Sequence, residues 1–134
     1  MAIISFSKDT VVDYVPEYGD NRVSSAPCVI RLRFIPFGEA RELMRAQAAK
    51  SKGANTQEKV MAISQALQKE KFVSHIDGVS GYFVDGKEVT SSEEFYETAS
   101  GALIFEVLEA MEDSAKLSEG QKKNSERAFV GASS

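Results

Sequence analysis

With 134 residues, 43% of them hydrophobic and 27% charged, the chain is long enough for one core, burying about two-thirds of its unfolded surface. A formal charge of −4 argues against a phosphate-neutralising surface, and so against nucleic acid as a main partner. Cys28 is the only cysteine, which excludes an internal disulfide and a thiolate metal cluster. The apolar runs are far shorter than a membrane span, and "MAIISFSKDT" lacks the basic start and long apolar core of a signal peptide. A protein of the cytoplasm with no membrane partner is expected.

The first segment, "AIISFSKDTVVDYV", is rich in β-branched and aromatic residues. Ile4 and Phe6, then Val11, Val12 and Val15, suggest two short strands around Lys8-Asp9. "PEYGDNRVSSAP" reads as loop. "CVIRLRFI" alternates strictly, with Cys28, Ile30, Leu32 and Phe34 on one face and Arg31 and Arg33 on the other, the clearest strand in the chain. "FGEARELMRAQAAKSKG" consists of strong helix formers with Phe37, Ala40, Leu43, Met44 and Ala48 at helical spacing, ending at Gly53.

A second helix is expected from "NTQE", with Asn55 as cap, Glu58 reaching back, and Val60, Ile63 and Leu67 as its buried stripe. "FVSHIDGVSGYFV" turns to strand alternation and leads into a hairpin with Asp85-Gly86 at its tip, because both central residues of a type I′ turn need positive φ. Thr90-Ser91-Ser92-Glu93 reads as a capping box opening the last long helix. At about 100° per residue, Leu103, Ile104, Val107, Leu108 and Met111 fill one arc of it. Phe95, Ala99 and Ala102 widen that arc beyond a single buried face. Either Ser100-Gly101 breaks the helix or the extra face meets another chain, and Phe105 falls outside the arc in both cases. From Ser114 onward small and charged residues dominate, which predicts a single domain over 1–115 and a flexible polar tail over 116–134. The fold class is α+β, with N-terminal antiparallel strands and a hairpin packed with three to four α-helices.

No catalytic set emerges. Asp77 to Glu88 has the length of a calcium loop, but Val79 and Gly81 stand where oxygen ligands belong and Tyr82 where the sharp turn needs glycine. His75 is the only histidine and lacks a partner at metal spacing. Cys28 opens an apolar strand with no cationic activator nearby in sequence, and Glu93-Glu94 occupy a helix first turn, where the dipole favours them. Gly78 and Gly81 lack a following phosphate-loop lysine. Arg31, Arg33, Arg41 and Arg45 read as a solvated strand face and helix flank. No metal, no cofactor and no enzymatic activity are expected.

The element order, with "VSGYFVDG" ahead of an acidic capped helix and "LSEGQKKNS" near the end, resembles the tail assembly chaperones of long-tailed bacteriophages over roughly Cys28 to Asn124. Tryptophan is absent; Tyr82 and Phe83 stand in the hairpin where that family often carries an aromatic. The resemblance implies a non-catalytic chaperone that binds the tape-measure protein, and possibly the tail tube protein, in the bacterial cytoplasm and is missing from the finished virion. It also implies a longer frameshifted product, for which Lys122-Lys123-Asn124 offers codons of the adenine-rich kind. On this reading Met61, Phe95, Ala99, Ala102 and Phe105 are the partner-binding candidates, with self-association as a second use. The competing expectations are a virion component, such as a head-tail joining or tail-terminator protein, and a small cytoplasmic ligand-binding domain.

Overall fold

The computed structural model describes residue 3 and residues 5–122. It is an α+β fold. Strand β1 (Val11–Tyr14) pairs antiparallel with β2 (Val29–Arg33), which pairs antiparallel with β3 (Ile76–Ser80), so the order is β1-β2-β3. Between β1 and β2 lies an irregular 3₁₀ segment, Tyr18–Val23. Helices α1 (Phe37–Ser51) and α2 (Gln57–Ser74) precede β3. A two-stranded hairpin, β4 (Phe83–Val84) and β5 (Lys87–Glu88), leads to α3 (Ser92–Thr98), α4 (Gly101–Glu112) and α5 (Ser114–Glu119).

The alternation of β2 is obeyed: Ile30 and Leu32 are fully buried, and Phe34 follows them inward. Val12 faces Leu32 and Tyr14 faces Ile30 across one ladder, while Val79 and Ile76 complete the inner face across the other. Asp77 is the unpaired residue of a bulge between Arg31 and Leu32, so that Ile76 can return to the core face. The outer face is polar, with Arg31 Nε 2.9 Å from Asp13 Oδ1 and Arg33 Nε 3.3 Å from Asp77 Oδ1. A sheet with one wet face needs a single covering layer. Phe72 from α2, Phe95 from α3, Leu103, Val107 and Met111 from α4, and Leu117 from α5 share the core with it.

Several local expectations are corrected. No strand forms at Ser5–Ser7; Phe6 packs its ring 6.1 Å from that of Phe34 instead, and Ile4 lies outside the described residues. Phe72 and Val73 close α2 rather than open a strand, since His75 is the first residue to leave helical geometry. The caps fall one residue later than read: Thr56, not Asn55, accepts from Lys59 N, and Ser91, not Thr90, accepts from Glu94 N. In both cases two adjacent polar residues could cap, and the tertiary path selects the second. Ser100 accepts from Leu103 N and starts a new helix, so α3 and α4 are separate.

The tail boundary at 115 is also corrected. Asp113 accepts from Ala115 N and Lys116 N to start α5, whose Leu117 is fully buried. Val15 N then donates to Gly120 O and Lys122 N to Asp13 O, placing Gln121 against the edge of β1. A Cβ at Gly120 would sit 2.1 Å from the Tyr14 ring, so this close approach requires glycine. The packed domain therefore includes residues 116–122. Lys123 and Asn124, and the rest of the expected tail, lie outside the described residues.

Candidate partner-binding surfaces

Helices α1 and α2 form an antiparallel arm that contributes little to the core. No residue of α1 is buried, and only Phe72 of α2 is. Ala40 and Leu43 touch the core at partial exposure. The expected apolar stripe of α1 is thus split, because Phe37 is 81% exposed and Met44 68% exposed. Val60 is also exposed, while Ile63 and Leu67 are half-buried. Alanines and arginines surround α1, and a helix with so little apolar width can bury only one edge.

The base of this arm is fixed by polar contacts. His75, 6% exposed, places Nδ1 2.7 Å from Lys71 O and Nε2 2.9 Å from Glu39 Oε2. Ser74 Oγ also lies 3.1 Å from Nδ1, so both ring nitrogens have polar neighbours. Ile35 N donates to Met111 O at 2.7 Å, and Arg33 donates from its guanidinium to Ser74 O. His75 is accordingly a structural link from α1 to the end of α2. Sequence spacing hides it, since Glu39 is 36 residues away.

The five partner candidates are not brought together. Phe95 is fully buried, its ring stacked 6.0 Å from Phe72 and edge-on to Tyr82 at 4.8 Å, so it is corrected from partner surface to core. The break at Ser100 is the physical reason, because it turns α3 independently of α4. Ala99 is half-buried against the core. Ala102 and Phe105 remain on the outer side of α4, with Phe105 62% exposed. Met61, 53% exposed, lies near the start of α2 on a different element.

Polar clusters elsewhere are engaged in holding the fold. Glu106 Oε2 accepts from Tyr14 Oη and from Glu17 N, both at 2.7 Å, and its Oε1 accepts from Tyr18 N at 3.1 Å. Burial first, then the Glu106 hydrogen bond, pushes the Tyr14 phenol well above its ordinary value, with Arg22 acting the other way. The cleft beside it, about 620 Å³, is lined by Glu17, Arg22, Glu106, Asp113, Lys116 and Glu119. Burial pushes the Cys28 thiol up to about 11, which leaves it protonated and a poor nucleophile at neutral pH. Asp77 is held by Arg33, and Glu88 accepts from Gly81 N. Among the described residues no group of three or more His, Cys, Asp or Glu is placed to hold a metal ion. No described helix is long and apolar enough to cross a membrane. No protein family, curated protein or solved structure compared with the chain matches it.

Proposed function

We propose that this protein is a non-catalytic tail assembly chaperone that binds the tape-measure protein of a long-tailed phage while the tail tube forms. The observation that carries the reading is the set of large apolar side chains left facing solvent on three helices: Phe37 and Met44 on α1, Met61 on α2 and Phe105 on α4. Scattered exposed apolar residues are normal, but exposed Phe and Met on regular helices suit transient cover of apolar helical segments in a partner. Their spread over three helices favours contact with a long partner over enclosure of a small ligand. The acidic balance suits a protein partner better than nucleic acid.

The test is co-expression with a candidate tape-measure protein. Co-purification that falls on Met61→Glu, with an unchanged melting temperature, is the expected result. Absence of a complex overturns the reading. Recovery of the chain in stoichiometric amounts from purified virions would replace it with a virion component.

A further inference from the structure

We propose that this protein self-associates by docking α1 of one copy on α4 of a second copy, an assembly that does not depend on the tape-measure reading. At about 100° per residue, Phe37, Arg41, Met44, Arg45 and Ala48 fall within one narrow sector of α1. All five are exposed. On α4, Ala102, Phe105, Glu109 and Glu112 fall within a sector of similar width and are likewise exposed. One stripe combines two large apolar side chains with two arginines, and the other combines an aromatic and an alanine with two glutamates. At a rise of 1.5 Å per residue the stripes run about 16 Å and about 15 Å, so they match in length as well as in charge.

Within one chain the two stripes do not satisfy each other. Arg45 pairs with Glu42 at 3.1 Å, Glu109 with Lys116 at 3.3 Å and Glu112 with Lys71 at 3.0 Å. Arg41 makes no ion pair among the described residues, and no arginine of α1 reaches a glutamate of α4. The Arg45–Glu42 and Glu109–Lys116 pairs are solvent-accessible and the Glu112–Lys71 pair is half-exposed, so all three are weak enough to be exchanged for contacts across an interface. Opposed potentials on apolar stripes give register and specificity, while Phe37, Met44 and Phe105 supply the desolvated centre. Each stripe is unlike itself, so a copy offers one stripe to its neighbour's other stripe. Two such contacts formed at once give a closed dimer, and one gives a longer series.

Light scattering of the full chain across concentration and salt tests this. The wild type is expected to gain mass with concentration, less so as salt is raised from about 0.05 M to about 0.5 M. Arg41→Glu with Arg45→Glu, or Glu109→Lys with Glu112→Lys, should each weaken association about tenfold or more through like-charge contact. An equimolar mixture of the two variants should restore it, because the swapped charges are complementary. Should a charge swap fail to fold, Phe37→Ser with Phe105→Ser decides instead: association lost with melting temperature retained supports the interface. A wild type that stays monomeric up to about 1 mM overturns the proposal. So does association that persists in the charge-swapped variants or in the serine pair.

Discussion

At the scale of single residues, burial separates side chains that look alike in sequence. Phe95 and Phe105 lie ten positions apart in the same acidic, apolar stretch, yet one is fully buried and the other 62% exposed. Phe95→Glu should abolish cooperative unfolding, since a charge would enter between Phe72 and Tyr82. Phe105→Glu should leave the circular dichroism spectrum and melting temperature unchanged. Unfolding by the second variant would place Phe105 in the core. Cys28 gives a chemical readout of the same principle. With its thiol at about 11 against an ordinary 9.0, the native protein at pH 8 should alkylate about a hundredfold more slowly than the denatured chain. Because both the Cys28 and Tyr14 values are raised in the folded state, their contributions are fully present below the unfolded values and are lost as pH rises above them. Stability should therefore fall from about pH 9 upward, and Cys28→Ala should blunt the earlier part of that fall.

At the scale of elements, turn chemistry and hydrophobic anchoring decide the outcome. The β4–β5 turn has positive φ at both central residues, 52° at Asp85 and 82° at Gly86, with Val84 paired to Lys87. Gly86→Val should cost about 1 to 3 kcal/mol in chemical denaturation, since a β-branched residue is strained there. A neutral result would mean that the turn rearranges freely. Helix α5 is short and polar, and its place in the fold rests on Leu117. Leu117→Ala should cost about 2 to 5 kcal/mol, typical of a fully buried leucine. An unchanged denaturation midpoint would return α5 to the status of a tail.

At the scale of the whole molecule, one layer of helices on one face of a three-stranded sheet accounts for most buried residues, and of the α1–α2 arm only Phe72 is fully buried there. Leu32→Asp should unfold the domain, because Leu32 is fully buried at the centre of β2. Arg31→Asp, on the wet face, should lower the melting temperature only slightly, losing an exposed pair with Asp13. Equal melting temperatures for the two variants would contradict the one-sided sheet. The arm should exchange its amide hydrogens faster than β2 or α4, since few buried contacts resist its opening.

Local chemistry alone was enough for the elements whose signals are periodic or conformational. The alternation from Cys28 to Phe34, the α1 span and the Asp85-Gly86 turn are all written in neighbouring residues, because strand pleat, helix pitch and positive φ are properties of a few consecutive positions; the break before Gly101, one of two alternatives in the sequence, was decided by the fold. Exposure was not legible in the same way. Phe37 and Met44 have the spacing of a buried stripe, but only the path of α2 and the sheet decides that Ala40 and Leu43 take the inner position. Phe95 turned inward because Ser100 reorients α3, and Leu117 became core because Tyr14 and Gly120 meet across more than a hundred residues of chain. The Glu39–His75 link and the carboxylate of Glu106 beneath the Tyr18–Val23 segment likewise join residues far apart in sequence. Such contacts depend on which surfaces remain uncovered once the sheet has closed on its helices, and that is decided only by the tertiary fold.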